Sequence, residues 1–493
     1  MEYEKYLEQN QPEMILALQE LIRCNSEEKE PITGKDGQVY PFGAGVQEAL
    51  EKTLELASKM GFVTRNVDNY GGHIDFPGTG APILDENGNV TGYSKPEIMA
   101  VIGHLDVVPA GDGWDFEPYG GHVENGRIYG RGTTDDKGPV ISCLYAMKAL
   151  KDAGYQPQNT IRLILGLDEE THWKGMDYYF SKVEKPDYGF TPDADFPIIN
   201  GEKGLLIFDL AKKFSKTQVK GLELRSVKGG TAPNSVADRC RTIVKSDGEG
   251  AYEQIKEMAA CFREKTGYKI SCKGIGKSLE ITAIGVSAHG AKPEAGLNAI
   301  SVMMEFLSGL NFVNEDQNDF VRFYHEYIGF CLDGAKLGID FQDEPSGKLV
   351  FNVGMIELDP EAVKLTINIR YPVTITDEDI FRKMEDVLNR YDMGLVKGEH
   401  RAPLYLDLDN PMVKTLLEIY RKNSGDTQTE PMVIGGGTYA RCAKNIVAYG
   451  ALFPGDADLM HQKNEFLEIS RLKLMTKIYA EAIYKLSQGG YNI

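Results

Sequence analysis

The sequence predicts an α/β protein in which helices flank a mixed, mostly parallel sheet and an α+β lid domain is inserted. Three runs support this prediction: 96–103, 160–167 and 188–191. The first two are continuous apolar runs of the length found in buried parallel strands. All three are followed by acidic or imidazole side chains, and open α/β sheets bind ligands at the carboxyl ends of their strands. These strand ends are therefore where a functional site is expected.

The side chains at these three ends are ligands that divalent metal ions accept. They are His104 and Asp106 after the first run, Asp168, Glu169 and Glu170 after the second, and Asp193 and Asp195 after the third. Carboxylates at the edge of a low-dielectric core would protonate unless a positive charge lay beside them. Imidazole and carboxylate together suit hard-to-borderline divalent ions. The sequence therefore predicts a metalloenzyme.

The segments around these runs alternate between helix and strand. Apolar residues recur at helical spacing in 10–24 and 45–60, which predicts two helices outside the sheet. Residues 75–94 are rich in Gly, Pro and Asn, which predicts a loop or hairpin. Pro139 can occupy the first position of a helix that continues over 140–150. This alternation is typical of an α/β domain.

The pattern changes after Gly201. Runs typical of strands, several with one polar face, are 205–210, 222–227, 278–286, 349–356 and 362–369, and helical stretches lie near 249–266, 298–311 and 376–391. The α/β pattern returns after Pro403, with a helix at 411–422 and a strand at 446–452. We predict a catalytic domain made of residues 1–200 and 400–493, with the lid domain, residues 201–399, inserted between them.

Composition narrows the class of protein. Of the 493 residues, 42% are hydrophobic and 26% charged, which is ordinary for a globular protein with a large core. The formal net charge of -19 disfavours nucleic acids and anionic membrane surfaces as partners. Apolar runs fall short of the ~18 residues of a transmembrane helix. An acidic start without a secretory signal, and seven scattered cysteines without a C-x-x-C pair, predict a cytoplasmic location.

Five segments in chain order resemble a known family. They are H-L-D-V-V-P at 104–109, G-R-G-T-T-D-D-K-G-P at 130–139, D-E-E at 168–170, T-P-D-A-D-F-P at 191–197 and H-Q-K-N-E at 461–465. Together they resemble the di-zinc metallopeptidase family of dipeptidase V, carnosinases, aminoacylases and carboxypeptidase G-type enzymes over nearly the whole chain. The dipeptidase V branch is the most similar, on the evidence of D-D-K-G-P, P-D-A-D-F-P, N-I-R-Y-P and the long insert.

The resemblance implies two divalent metal ions per chain. Zinc is the expected metal, with manganese and cobalt as alternatives because they accept the same ligands. The implied ligands are His104, Asp135 and Asp193 for one ion, and Asp135, Glu170 and His461 for the other. By spacing alone Asp136 competes with Asp135, and Asp195 competes with Asp193. The family pattern selects Asp135 and Asp193.

The resemblance also implies roles for residues that do not bind metal. Glu169 would be the general base, Asp106 would orient the His104 imidazole, and His289 in V-S-A-H-G would polarise the scissile carbonyl of the substrate. The residues expected to contact the substrate are Asn234, Arg370, Gly436, Gly437 and Thr438. Arg370 carries a planar fork of donors that suits a carboxylate, and the glycine-rich loop offers backbone donors.

The function that follows is hydrolysis of short unblocked peptides, above all dipeptides, by a hydroxide held by two metal ions. The substrate would be a small peptide, and the chain would act as a monomer because the insert is long enough to cap its own site. One alternative is an N-acyl-amino-acid deacylase or a succinyl-diaminopimelate desuccinylase-like amidohydrolase with the same metal ligands. Another, of a different class, is an inactive binding or structural homologue.

Overall fold

The computed structural model describes residues 2–35, 37–86, 88–217 and 219–491. The chain divides into two compact units. The first unit comprises Met1–Asn200, Leu406–Met432 and Gly437–Ile493. The insert unit comprises Gly201–Tyr405 and Val433–Gly436. The first unit is therefore discontinuous in sequence, and a four-residue segment near the end of the chain belongs to the insert unit.

Helices occur in both units. Within the described ranges they are α1 Glu4–Ile22, α2 Ala44–Lys59, α3 Lys137–Asp152, α4 Lys174–Lys182, α5 Ala251–Thr266, α6 Ala299–Leu307, α7 Glu315–Tyr327, α8 Asp377–Arg390, α9 Pro411–Ser424 and α10 Ile469–Leu486. Short 3-10 turns cover Pro293–Ala295, Ala335–Leu337 and Tyr439–Cys442.

The strands lie between the first and the last of these helices. In chain order they are β1 Ile32–Thr33, β2 Val39–Tyr40, β3 Val63–Asn66, β4 Gly72–Phe76, β5 Pro82–Leu84, β6 Val90–Tyr93, β7 Ile98–His104, β8 His122–Glu124, β9 Arg127–Tyr129, β10 Thr160–Gly166, β11 Tyr188–Thr191, β12 Ala194–Asp195, β13 Ile199–Glu202, β14 Gly204–Lys213, β15 Glu223–Gly229, β16 Arg239–Lys245, β17 Lys269–Ile275, β18 Ser278–Ile284, β19 Gln342–Asp343, β20 Gly347–Lys348, β21 Val350–Leu358, β22 Ala362–Tyr371, β23 Gly394–Arg401, β24 Leu404–Tyr405, β25 Met432–Ile434, β26 Ile446–Ala448, β27 Ala451–Leu452 and β28 Phe466–Glu468.

The first unit is built on a mixed sheet. Its strands follow the order β26-β11-β7-β10-β4-β3, and the four strands β26, β11, β7 and β10 are parallel to one another. Beyond β10, the β10–β4 and β4–β3 pairs are antiparallel. β7 is buried at every position, and α3 packs against it with α1 and α10 against α3. A strand covered on both faces needs apolar residues at consecutive positions, which is why β7 does not alternate.

The insert unit is an antiparallel sheet with helices. Its eight strands follow the order β17-β18-β16-β15-β21-β22-β14-β23. In β18 the even-numbered positions are half-buried and the others buried, as expected of a strand with one wetter face. The inner face packs with α6 and α7 around a core that includes Phe320, Phe323 and Ile367. The predicted fold class, α/β with an inserted α+β domain, is confirmed.

Several predicted elements differ in detail from the observed ones. α3 begins at Lys137, so Pro139 is its third residue and not its first; Pro is tolerated there because the first N–H groups of a helix lack intrahelical partners. The strand predicted at 446–452 is two short strands, β26 and β27. α7 and β16 had not been predicted. Within the described ranges, no helix is both long and apolar enough to cross a membrane.

Candidate metal centre

Three parallel strands of the first unit deliver the predicted ligands to the same edge of the sheet. β7 ends at His104, which lies opposite Gly166, the last residue of β10. Asp168, Glu169 and Glu170 follow Gly166 in the next turn. β11 pairs with the other side of β7 and ends two residues before Asp193. The parallel register therefore brings the three strand ends together.

Two clusters of possible ligand atoms form at this edge. One contains His104, Glu169 and Asp193, and the other contains Asp135, Glu170 and His461. Within each cluster the ligand atoms lie within 4.8 Å of one another. Asp135 comes from the turn before α3 and His461 from the turn before β28, so residues far apart in sequence meet here.

Asp135 lies between the two imidazoles. Its Oδ1 is 2.9 Å from Nε2 of His104, and its Oδ2 is 3.0 Å from Nε2 of His461. Nε2 of His461 is also 3.0 Å from Oε1 of Glu170, and Nε2 of His104 is 3.6 Å from Oδ2 of Asp193. A carboxylate that offers one oxygen to each side is the arrangement with which a bridging ligand holds two ions.

The His104 ring shows that this arrangement suits a cation. Its Nδ1 lies 3.0 Å from the backbone carbonyl oxygen of Asp106, which only accepts hydrogen bonds, so Nδ1 carries a proton. In the neutral ring Nε2 is then a lone pair that faces the carboxylate oxygens of Asp135 and Asp193. A lone pair that faces carboxylate oxygens requires a positive charge between them. A proton meets this need when no metal is bound because, against the opposing effect of burial, hydrogen bonds to Asp106, Asp135 and Asp193 raise the pKa of His104 well above its usual value. A divalent ion supplies that charge, and the donor set therefore fits a metal.

The Asp106 side chain joins the two clusters. Its Oδ2 accepts a hydrogen bond from the backbone N–H of Glu170 at 3.0 Å, and its Oδ1 lies 3.4 Å from Nδ1 of His104. Asp106 is 1% exposed, so these contacts are shielded from water. The residue is thus placed to fix the orientation of the imidazole and the position of the acidic turn.

Burial and neighbouring acids perturb the carboxylates of the centre. Burial raises the pKa of Glu169 well above its usual range, and the charges of Asp193 and Glu170 act in the same direction. Burial, followed by the charge of Asp135, raises the pKa of Glu170 to about 7. A raised pKa means that the ionised form of these carboxyl groups is unfavourable. A neighbouring cation would stabilise that ionised form.

The structure distinguishes the neighbouring acids by where their side chains point. Asp136 is buried, and its Oδ2 accepts a hydrogen bond from the backbone N–H of His104 at 3.0 Å. Asp195 lies in β12, which pairs with β27, and is in neither cluster of ligand atoms. Asp135 and Asp193, which the family pattern selects, are each in a cluster. Glu169, the expected base, lies in the cluster of His104 and Asp193.

Within the insert unit the structure brings Asn234, His289 and Arg370 together. The backbone N–H of Gly290 donates to the carbonyl oxygen of Asn234 at 2.7 Å, and His289 forms a bridge with Ser235. Partial desolvation, with the positive charges of Arg370 and Lys292, lowers the pKa of His289. Arg370 is buried near the end of β22.

One hydrogen bond sets the tautomer of His289. The backbone N–H of Ala291 donates to its Nδ1 at 3.2 Å, so in the neutral ring the proton lies on Nε2. Because the pKa is lowered, the neutral ring prevails near neutral pH. The His289 side chain is exposed, so its Nε2–H is a hydrogen-bond donor that a bound molecule can reach.

The glycine-rich loop spans the boundary of the two units. Gly435 and Gly436 belong to the insert unit, whereas Gly437 and Thr438 belong to the first unit. A side chain on Gly435 would lie 3.3 Å from Cβ of Ala291 and 3.9 Å from Cγ of Arg370, so this glycine adjoins the His289 and Arg370 group. The Thr438 hydroxyl caps the following turn by accepting from the N–H of Ala440 at 3.2 Å.

Three residues of the site had no role assigned from the sequence. Tyr439 is buried, packs edge-on against His104 and donates to Asp168 at 3.4 Å. Arg131 and Glu465 form a buried ion pair at 2.7 Å beside Asp135. Both belong to the quoted motifs, and opposite charges within motifs that contain metal ligands were the signal available in the sequence.

Comparison with known proteins agrees with this geometry. Residues 100–485 match the sequence pattern of Peptidase family M20/M25/M40. A protein of Bacillus subtilis (strain 168) named "Putative dipeptidase YtjP" is 36% identical over 491 residues, covering 99% of this chain and 100% of its own.

Solved structures share the fold. Aminoacylhistidine dipeptidase from Vibrio alginolyticus aligns with a TM-score of 0.56 at 14% identity, covering 96% of both chains. An M20 family metallo-carboxypeptidase from Sulfolobus solfataricus aligns with a TM-score of 0.52 at 17% identity, covering 97% of this chain and 99% of that chain. The predicted resemblance to metallopeptidases is confirmed: the chain belongs to Peptidase family M20/M25/M40, a family of metal-dependent enzymes, and is a peptide-bond hydrolase.

Proposed function

We propose that this hydrolase is a dipeptidase that acts on short unblocked peptides at a centre of two divalent metal ions. The observation that carries the proposal is the position of Asp135, whose two carboxylate oxygens each face Nε2 of a different histidine. The name of the Bacillus subtilis relative supports dipeptides as the substrate class. We further propose a cytoplasmic location, supported by the seven scattered cysteines, none of which lies in a C-x-x-C pair.

The proposed ligands divide between the two ions. His104, Asp135 and Asp193 would hold one ion, and Asp135, Glu170 and His461 would hold the other. When bound, two such ions would polarise the peptide carbonyl and lower the pKa of a water molecule. We propose zinc as the metal, because it accepts this mixture of imidazole and carboxylate ligands.

Glu169 is proposed to move the proton. Its carboxylate lies in the cluster with His104 and Asp193, within 4.8 Å of their ligand atoms. It would accept a proton from water as the oxygen bonds to the peptide carbon. It would then give that proton to the leaving nitrogen as the C–N bond breaks, which yields a free carboxylate and a free amine. Asp106 would keep His104 in its orientation throughout.

The insert unit is proposed to supply the contacts to the substrate. Nε2–H of His289 would donate to the carbonyl oxygen as negative charge develops on it. Arg370, with Gly436, Gly437 and Thr438, would bind the terminal carboxylate, and Asn234 would contact the same oxygen as His289. The tautomer of His289 and the proximity of Arg370 to it support this assignment. If the other end of a short cavity also bound the free amine, binding at both ends would restrict substrates to about two residues.

A substrate panel tests the function. Dipeptides with free ends should be hydrolysed, and C-terminal amidation should lower kcat/KM by about 10–100-fold, because a hydrogen bond to a charged group contributes about 1.5–3 kcal/mol. Pentapeptides should be cleaved poorly. Arg370→Met should remove the preference for the free carboxylate. Arg382→Met, in an exposed ion pair on α8, is the matched control and should retain it.

The same panel identifies the alternatives. Faster hydrolysis of N-acetyl or N-succinyl amino acids than of dipeptides would make the chain a deacylase. Hydrolysis of none of these compounds by metal-loaded protein would favour an inactive binding homologue. Either result would overturn the dipeptidase assignment.

A further inference from the structure

Glu465 is a buried acid close to the proposed metal centre that is assigned neither as a ligand nor as the base. It follows His461 by four residues and is 0% exposed. Its Oε1 accepts from the backbone N–H groups of Thr134 at 2.8 Å and Asp135 at 3.4 Å. Its Oε2 accepts from the N–H of Gly132 at 3.1 Å. One carboxylate thus engages three backbone donors of the turn that carries Asp135.

Side chains of the same turn complete the arrangement. Nη1 of Arg131 donates to Oε2 of Glu465 at 2.7 Å, and the hydroxyl of Thr133 lies 3.4 Å from Oε1. Arg131 is 2% exposed and lies under the ring of Trp114, 5.3 Å from its centroid. The guanidinium compensates the buried negative charge, which would otherwise be costly beside further carboxylates. Among the described residues, every donor to the Glu465 carboxylate therefore comes from residues 131–135.

This arrangement ties together two segments that are far apart in sequence. Asp135 and His461 are 326 positions apart, yet Oδ2 of Asp135 lies 3.0 Å from Nε2 of His461. The backbone N–H of Gly130 also donates to the carbonyl oxygen of Glu465 at 3.0 Å. A shift of the 131–135 turn would move the Asp135 carboxylate relative to both histidines. The hydrogen bonds from this turn to the Glu465 carboxylate oppose such a shift.

We propose that Glu465, with Arg131 as its counter-charge, is a positioning residue that holds Asp135 and His461 in the geometry required to bind metal. The inference rests on the proposed metal centre and adds a determinant of its affinity. Glu465 acts through the backbone of the Asp135 turn and touches neither the substrate nor the ions. Groups that orient metal ligands in this way typically contribute about ten- to a hundredfold to metal affinity.

Glu465→Gln is the informative change because it preserves the shape of the side chain. Glutamine has one acceptor oxygen and one NH2 donor, whereas both sides of this site present N–H donors. One set of N–H groups would therefore face another donor. The Asp135 turn should move to relieve that conflict, and the ion shared with His461 should bind less tightly.

The experiment is an equilibrium Zn²⁺ titration of the full-length chain against a competing chromogenic chelator. The dissociation constant of at least one of the two Zn²⁺ ions should rise by about ten- to a hundredfold in Glu465→Gln. Glu468→Gln is the matched control, because Glu468 lies three residues further along and pairs with Arg127 in an exposed ion pair at 3.1 Å. It should bind Zn²⁺ like the wild type. Urea unfolding of the metal-free proteins shows whether any effect is only on stability.

Each outcome decides the matter. Loss of metal-free stability in Glu465→Gln with unchanged Zn²⁺ affinity would show a merely structural role and overturn the inference. If Glu465→Gln does not fold, the same titration of Arg131→Met decides: weaker binding supports the inference, and equal binding overturns it. Wild-type protein that binds two Zn²⁺ ions but hydrolyses no dipeptide would instead contradict the proposed function and leave this inference standing.

Discussion

Glu169→Gln is expected to lower kcat for a dipeptide by about 10²–10⁴-fold, which corresponds to about 3–5 kcal/mol of transition-state stabilisation. The amide has nearly the shape of the carboxylate but cannot accept a proton from water or deliver one to the leaving amine. In the proposed assignment Glu169 binds no metal, so metal content should stay at the wild-type value. Steady-state kinetics with elemental analysis of the same sample measures both.

The control for this variant is another glutamate-to-glutamine change. Glu184 forms an exposed ion pair with Lys95 at 2.7 Å in the same unit, and Glu184→Gln should retain full activity. Because Glu169 shares a cluster with His104 and Asp193, the metal measurement separates its two possible roles. Metal loss in parallel with activity would make Glu169 a ligand, and retained activity would exclude it as the base.

His289→Ala is expected to lower kcat by about 10²–10³-fold with little change in KM, because the donor acts on charge that develops only in the transition state. Both metal ions should bind normally. Since the ring is neutral, with its proton on Nε2, the deficit relative to wild type should be constant from about pH 7 to pH 9. Kinetics across this range measures it.

His325→Ala is the matched control, because His325 is a histidine of the insert unit that pairs with Glu305 at 2.8 Å. If His289→Ala raised KM and left kcat unchanged, the result would contradict a role of His289 in the transition state.

Mixing His289→Ala with Glu169→Gln tests the proposal that each chain is self-contained. Activity regained in the mixture would show that His289 of one chain acts together with Glu169 of another. It would overturn the proposal that the protein acts as a monomer.

The strands that lead to the site were the most predictable part of the fold. β7 is apolar at every position before His104, and β10 at every position except Thr160 and Arg162, a pattern typical of strands covered on both faces. Parallel strands have their carboxyl ends at the same edge of a sheet, so the acids that follow these strands lie close together there. The strand ends therefore indicated His104, Glu170 and Asp193 as candidate ligands, whereas Asp135 and His461 were implied only by the family resemblance.

The arrangement of neighbouring acids was not predictable from the residues alone. Asp135 and Asp136 are adjacent and chemically identical, and spacing left both as candidates. A tertiary contact separates them: Asp136 accepts from the backbone N–H of His104, while Asp135 faces two imidazoles. The partner in that contact, His104 at the end of β7, lies more than thirty positions away in the chain. The residues next to Asp135 and Asp136 therefore could not reveal it.

Elements of the insert unit were missed for a different reason. α7 begins with Glu315 and Asp316, and its buried residues include Phe320, Phe323 and Tyr324. Its polar first turn, capped by Asn314, resembles a loop until the packing of its aromatic face is known. Helices of this length are stabilised chiefly by tertiary contacts, so a short amphipathic segment between loops is easily overlooked.

The metal stoichiometry tests the central claim most directly. Purified protein loaded with Zn²⁺, freed of excess metal and assayed on a dipeptide should contain two ions per chain. Removal of both ions by a chelator should abolish hydrolysis, and adding Zn²⁺ back should restore it. Full activity in the chelated, metal-free chain, or in a chain that holds a single ion, would contradict the proposed centre, in which two ions would share Asp135.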